Sequence, residues 1–192
     1  MNERMAEDHR FLRDLSGAAY MSGTDRDALA RENELEMVTN KGELSAYRSA
    51  KDKKVYVAHR GTAKKKDISA DLAIAFGMEK YHPRFKRARR ETKRLERENP
   101  GYEIVHTGHS LGGSLAQHAG KHTKSNKRVV TFNKGAGIGS LFRKRDKNQT
   151  DYVNVYDPVS MLSLRQKGGK VYKQKQVKVH PHKIESSTSR RM

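Results

Sequence analysis

The chain of 192 residues lacks cysteine and tryptophan, and only 34% of its residues are hydrophobic. The absence of cysteine excludes disulfides, thiol nucleophiles and zinc sites with cysteine ligands. It also fits a cytoplasmic or virion-associated protein better than a small secreted scaffold. No stretch approaches the run of about 18 apolar residues that a membrane-spanning helix needs. Residues 1–8 are polar and acidic, unlike a signal peptide.

Positive charge dominates the chain but is distributed unevenly. The net charge is +19; residues 1–50 carry 7 basic and 10 acidic side chains, whereas residues 51–192 carry 34 basic and 12 acidic ones. Such an excess of one sign attracts partners of the opposite sign. We therefore expect an anionic partner, for which a phospholipid surface, nucleic acid and an acidic assembly are all candidates.

Apolar residues cluster into short runs typical of buried strands, and these runs alternate with helical patterns. The sequence predicts strands at 44–50, 55–59, 102–107, 128–132, 152–156 and 171–179, and helices at 7–20, 68–76, 83–98 and 111–122. Residues 51–53 predict a hairpin, and strands that alternate with helices indicate an α/β fold with a mostly parallel sheet. We expect one domain over residues 1–192, with residues 185–192 as a frayed basic tail.

A Gly-x-Ser-x-Gly pattern lies between a predicted strand and a predicted helix, as Gly108-His109-Ser110-Leu111-Gly112. In that context the pattern forms a sharp turn that presents the serine at the carboxyl edge of the sheet. We expect side chains at Gly108 or Gly112 to collide with neighbouring elements, and His109 to shape the turn. The alternative is a phosphate-binding turn, although the lysine of a P-loop is absent.

Several segments together resemble the class 3 lipases, a family of fungal-lipase-like α/β hydrolases. The resemblance covers most of the chain and is carried by Gly108–Gly113, Val57–Thr62, His82–Phe85, Asp71-Leu72 and, more weakly, Ala18–Tyr20. Val57–Thr62 is similar to the family's Phe-Arg-Gly-Ser/Thr oxyanion segment, with His59 where phenylalanine is usual. The chain is also short for the family. The resemblance implies a compact α/β-hydrolase fold and hydrolysis of acyl esters in lipids by serine, aspartate and histidine in that chain order.

The acid of such a triad is expected just after a strand that follows the serine. Asp157 ends the predicted strand 152–156, and Pro158 directs the chain over the edge of the sheet. Asp146 and Asp151 are expected to precede that strand and to lie at the wrong end of the sheet. A turn residue or helix cap is the alternative role for Asp157.

The base must follow the acid in the chain, and only His180 and His182 do so. The segment from His180 to Ile184 resembles the family's late His-x-Ile/Leu stretch, which favours His182 and leaves His180 as the alternative. The two histidines could instead contact phosphate, which would leave the triad incomplete.

The oxyanion hole needs two or more hydrogen-bond donors. The Leu111 N–H at the start of the helix is one of them. The resemblance implies that Thr62 supplies the other through its N–H, with its hydroxyl as a further donor. A turn at the end of the strand is the alternative role for Thr62.

Residues 67–80 follow the oxyanion segment, where the resemblance implies a lid or substrate-flanking element. Its apolar side chains are candidates for an acyl groove, namely Leu72, Ile74, Phe76 and Met78. A plain core helix is an equally good interpretation of the same pattern.

Basic residues flank this segment on both sides. The run Lys64, Lys65 and Lys66 precedes it and is a candidate for contact with an anionic membrane. The helix predicted at 83–98 is basic nearly all round, with Phe85, Ala88 and Leu95 as its buried stripe. A solvated loop and a solvated helix face are the alternatives.

The sequence thus predicts a serine esterase or lipase that needs no cofactor and no metal and acts on acylglycerols or phospholipids at anionic membranes. The predicted partners are a lipid ester and an anionic membrane surface, with non-specific nucleic acid as a further candidate. The alternative is a catalytically dead hydrolase scaffold that serves as a basic nucleic-acid- or membrane-binding protein.

Overall fold

The computed structural model describes residues 3–41, 43–62, 82–136 and 144–174. The predicted segments 64–66, 67–80 and 175–192 lie outside these residues. In chain order the elements are α1 (Glu3–Ala18), α2 (Gly23–Glu32), β1 (Glu36–Lys41), β2 (Leu44–Ser49), β3 (Lys54–His59), α3 (Pro83–Glu98), β4 (Glu103–His109), α4 (Leu111–His122), β5 (Lys127–Phe132), β6 (Gln149–Asn154), α5 (Pro158–Met161), a 3₁₀ helix (Leu162–Arg165) and β7 (Lys170–Gln174).

These seven strands form one sheet in the order β1-β2-β3-β4-β5-β6-β7. The first three pair antiparallel, and every pairing from β3 to β7 is parallel. The prediction of an α/β-hydrolase-like fold with an N-terminal hairpin is therefore confirmed. Because β3 to β7 are parallel, their carboxyl ends meet at one edge of the sheet, called the catalytic edge below.

Helices cover both faces of the sheet. α1 packs against β3, β4 and β5, while α4 packs against the same strands and α3 packs on α4. Tyr56 and Ala58 of β3 join the core beneath α1, whereas Val55 and Val57 join the core on the other face with Leu95 of α3. This alternation is the expected consequence of the two-residue repeat of a strand.

The stripe predicted for the basic helix is confirmed. Phe85, Ala88 and Leu95 are 0%, 5% and 0% exposed.

Among the described residues, no helix combines the length and the apolar character needed to cross a bilayer.

The structure differs from the sequence prediction at β6. The strand spans Gln149–Asn154 rather than 152–156, because residues 149–152 pair with residues 129–132 of β5. Asp151 therefore lies within the strand and is fully buried, and the prediction that it precedes the strand is wrong.

Candidate active site

Ser110 lies between β4 and α4 in a backbone conformation that residues other than glycine rarely adopt. Its φ is 54° and its ψ is −126°. Such strain persists only where surrounding contacts outweigh it. The Ser110 N–H donates to the Phe132 carbonyl at 3.1 Å, and the Ser110 carbonyl accepts from Gly113 N–H at 2.9 Å. This is the geometry of a nucleophile elbow, in which the serine is held at the catalytic edge.

The glycines of the elbow allow its elements to approach closely. A Cβ atom on Gly108 would lie 2.4 Å from the Gly112 carbonyl oxygen, and a Cβ on Gly112 would lie 2.2 Å from the His59 carbonyl oxygen. The predicted collisions at both positions are therefore confirmed. Close contact between α4 and the end of β3 depends on the missing side chain of Gly112.

The segment Arg60–Thr62 continues from β3 alongside the elbow. β3 and β4 pair in parallel with His59 opposite Gly108. A Cβ on Gly61 would lie 3.0 Å from the His109 carbonyl oxygen and 3.2 Å from the Gly112 nitrogen. The structure thus brings this segment, including the half-buried Thr62, to the same end of the sheet as the elbow.

Asp157 follows β6 at the catalytic edge, directly before α5. Its N–H donates to the Asn154 carbonyl at 3.2 Å, and its own carbonyl accepts from Met161 N–H at 2.9 Å. Burial lowers the pKa of His109, and the negative charge of Asp157 acts in the opposite direction. Asp157 is therefore close enough to the elbow to influence its electrostatics across the intervening strand β5.

Two buried polar clusters lie near these residues. In one, Asp151 accepts from Lys134 Nζ at 2.6 Å, Arg145 Nε at 2.5 Å and Thr131 Oγ1 at 2.7 Å. Burial opposes ionisation of Asp151, but the two cations outweigh it and the pKa of the carboxyl is lowered. Burial also lowers the pKa of Lys134 to about 8. Because Asp151 is fully engaged, it is not free to orient a catalytic base.

The second cluster runs beneath the end of β3. Nε2 of His59 lies 3.2 Å from Nδ1 of His106. Nε2 of His106 lies 2.9 Å from Thr123 Oγ1. His59 is the residue that replaces the usual phenylalanine. No sequence pattern indicated that it would meet a second histidine.

Tyr20 and Arg84, to which the sequence analysis assigned no role, also contact the site. The Tyr20 hydroxyl accepts from Gly61 N–H at 2.9 Å, and Arg84 Nη2 donates to the Arg60 carbonyl at 2.5 Å. Both belong to segments that resemble the class 3 lipases, which was the only signal for them.

The candidate bases His180 and His182 lie outside the described residues, as do Lys64–Lys66 and the acyl-groove candidates of residues 67–80. Their roles therefore stay predictions. Within the described residues, no group of three or more His, Asp or Glu side chains is arranged to hold a metal ion.

Comparison with known proteins supports the fold. A model of the Tle-like phospholipase domain family matches residues 15–174. No curated protein sequence matches the chain significantly. Similar solved structures include a triacylglycerol lipase described as having a serine protease triad (TM-score 0.63, 14% identity, 90% of this chain and 81% of that one). Others are the triacylglyceride lipase of Rhizomucor miehei (0.59, 14%, 90% and 81%) and a triacylglycerol lipase of Penicillium expansum (0.58, 19%, 90% and 80%). The resemblance to class 3 lipases is thus confirmed at the level of the fold.

Proposed function

The chain belongs to the Tle-like phospholipase domain family, and we propose that it hydrolyses acyl esters of lipids with Ser110 as the nucleophile. The observation that carries this proposal is the strained backbone of Ser110 between a parallel strand and a helix. A glycine-rich turn that only bound phosphate would not need a serine with a φ of 54°. Family membership supports the hydrolysis of lipid esters in general.

In the proposed mechanism the Ser110 Oγ attacks the ester carbonyl while His182 accepts the hydroxyl proton. Negative charge develops on the carbonyl oxygen, and the N–H groups of Thr62 and Leu111 stabilise it. Loss of one such donor lowers turnover by about 10²- to 10³-fold in hydrolases that have been dissected in this way. His182 then protonates the leaving alcohol, and water releases the fatty acid from the acylated serine.

Asp157 is proposed to orient the imidazole of the base. It is the described acidic residue that follows β6 at the catalytic edge, and Asp151 is occupied by Lys134 and Arg145. The serine protease triad named for the triacylglycerol lipase described above supports the same division of roles. His180 is the alternative base.

The substrate is proposed to be an acylglycerol or a phospholipid held at a membrane. Tyr156 is 71% exposed beside Asp157, and Met161 and Leu162 are 43% and 37% exposed in the helical turns that follow. Exposed apolar side chains grouped at a site indicate an apolar ligand or surface. The apolar residues of segment 67–80 would complete an acyl groove, and the run Lys64–Lys66 would attract anionic headgroups.

A second candidate, a dead scaffold that binds nucleic acid or membranes, is favoured by the cations of α3. Its exposed basic side chains include Lys86, Arg89, Arg90, Lys93 and Arg97. Phosphate contacts by such residues would make binding depend steeply on salt. This candidate predicts that Ser110 is unreactive.

A fluorophosphonate probe, which labels activated serines only, separates the two candidates. We expect labelling of the wild type and none of Ser110→Ala, which should also lose about 10⁶-fold in turnover of a short-chain nitrophenyl ester. Ser125→Ala makes the same chemical change at the opposite end of the sheet and should label normally. Labelling that survives in Ser110→Ala would end the serine-hydrolase proposal.

The base is assigned by comparing two alanine variants. We expect His182→Ala to be as inactive as the Ser110 variant, because members of a triad act as a unit. His180→Ala should be much milder. The reverse order would make His180 the base and leave the mechanism otherwise intact.

A further inference from the structure

We propose that Arg84 and Tyr20 are positioning residues that hold the oxyanion segment in register with the nucleophile elbow. The inference rests on the proposed function, since it concerns the donors of the oxyanion hole. Neither side chain is expected to touch the substrate. Each contacts peptide groups that carry the proposed catalytic atoms.

The peptide that joins Arg60 to Gly61 is held from both sides. Its carbonyl accepts from Arg84 Nη2 at 2.5 Å, and its N–H donates to the Tyr20 hydroxyl at 2.9 Å. A trans peptide is planar with its N–H and C=O pointing in opposite directions. Two partners on opposite sides therefore leave this peptide little freedom to rotate.

The next peptide contains the proposed oxyanion donor. Its N–H belongs to Thr62 and its carbonyl to Gly61, and Arg84 Nη2 approaches that carbonyl at 3.4 Å. Because the peptide is planar, a cation behind the carbonyl turns the Thr62 N–H away from Arg84. A hydrogen bond from a charged donor also polarises the peptide, which strengthens its N–H as a donor.

Tyr20 connects this segment to the elbow. Its hydroxyl donates to the His109 carbonyl at 3.4 Å, and the N–H of that same peptide is the Ser110 N–H bonded to Phe132. One hydroxyl thus joins the Arg60–Gly61 peptide to the His109–Ser110 peptide. These bonds tie the segment that follows β3 to the elbow that follows the neighbouring strand β4.

Arg84 is itself held in position. His82 caps α3 by accepting from Arg84 N–H at 3.3 Å, and Glu43 lies 3.3 Å from Arg84 Nε. The side chain is only 17% exposed. Burial lowers the pKa of Arg84 while Glu43 raises it, and a guanidinium remains charged through such shifts. A lysine would provide the charge but not the planar fork that reaches Glu43 and the carbonyls together.

Arg87 offers a matched control. It binds the second carboxylate oxygen of Glu43 at 3.0 Å and is exposed. Arg87→Gln therefore removes a cation one helical turn away and one partner of Glu43. It leaves the bonds from Arg84 to the segment in place.

The test is steady-state kinetics on a short-chain nitrophenyl ester. For Arg84→Gln and Tyr20→Phe we expect kcat to fall about 10- to 100-fold, less than for loss of a donor itself. KM should change by less than about threefold, because the oxyanion forms only in the transition state. Arg84→Lys should recover part of the loss, and Arg87→Gln should match the wild type. Equal kcat for Arg84→Gln and Arg87→Gln, or a loss confined to KM, would overturn the inference.

Amide hydrogen exchange separates this inference from the proposed function. In the wild type the amide of Gly61, which is bonded to Tyr20, should exchange more slowly than in Arg84→Gln, by tenfold or more, while Arg87→Gln resembles the wild type. If Ser110 proves unreactive, the proposed function fails and exchange still decides whether Arg84 orders the segment. Unchanged exchange in Arg84→Gln would refute the positioning role whatever the activity.

Discussion

Acid should destabilise this protein through the buried pair His59 and His106, because burial disfavours a charge on either ring and a proton on His106 Nδ1 would also break the hydrogen bond between the rings. The Thr123 hydroxyl donates to the Ala119 carbonyl at 3.1 Å, so it accepts from the Nε2–H of His106. Nδ1 of His106 then lacks a proton and accepts from Nε2–H of His59. The hydrogen-bond pattern thus assigns one neutral tautomer to each ring.

The expected loss follows from the pKa shifts. Burial, reinforced by the charge of Lys127, lowers the pKa of His106 to about 3. Burial, with the neighbouring His106 as the next contribution, holds the pKa of His59 well below its usual value. In the unfolded chain the pKa of each ring is about 6.5. Below that pH the unfolded state binds protons that the folded state does not bind, so the free energy of unfolding falls as the pH falls. Between pH 7 and pH 5 the loss is about 2 kcal/mol for His106, and the lowered pKa of His59 adds to the loss in the same direction.

Urea unfolding followed by circular dichroism at pH 7 and pH 5, at constant ionic strength, measures this loss. The double variant His59→Phe, His106→Leu removes both titrating rings and leaves the Thr123 hydroxyl bonded to Ala119. All other titrating groups are shared, so the wild type should lose at least about 2 kcal/mol more than the variant over this interval. Equal losses in the two proteins would refute the claim that these rings stay neutral in the folded state.

Three further predictions concern the elbow, the buried ion pairs and the surface charge. Gly112→Ala should abolish fluorophosphonate labelling and lower the melting temperature, since its Cβ would lie 2.2 Å from a backbone oxygen; normal labelling would contradict the assigned packing. Asp151→Ala should destabilise the fold by about 3–5 kcal/mol in urea unfolding, because it leaves two buried cations unpaired; a loss below about 1 kcal/mol would contradict this. Activity on anionic vesicles should fall as salt rises, while activity on a soluble neutral ester stays constant. Changing Lys64, Lys65 and Lys66 to glutamine should reproduce that fall at low salt, and salt-independent vesicle activity would indicate another partner for the basic surface.

Local sequence determined those elements whose signals lie within a few residues. The helix predicted at 111–122 is α4 as observed, because the glycine-rich turn defines its start. The helix predicted at 83–98 is α3, which begins at Pro83 and ends before Asn99. The collisions at Gly108 and Gly112 also follow from the pattern, since a strand–turn–helix with this spacing leaves no room for side chains.

Other elements depend on neighbours that are distant in the chain. β1 has one buried residue, Thr39, and shows no alternation of apolar and polar residues, so only its pairing with β2 makes it a strand. α2 was missed as well, because few of its residues are buried. The position of β6 is set by its register with β5. That register buries Asp151, which sequence reasoning had placed outside the strand.

The contacts that build the site also join residues that are distant in the chain. Tyr20 meets Gly61 across 41 positions of the chain and His109 across 89. Arg84 meets Arg60 across 24. The sequence by itself determined which serine is the candidate nucleophile and where its turn lies, because that geometry is local. Only the tertiary structure decided what holds the turn against the oxyanion segment, because hydrogen bonds between distant peptides leave no periodic trace in the sequence.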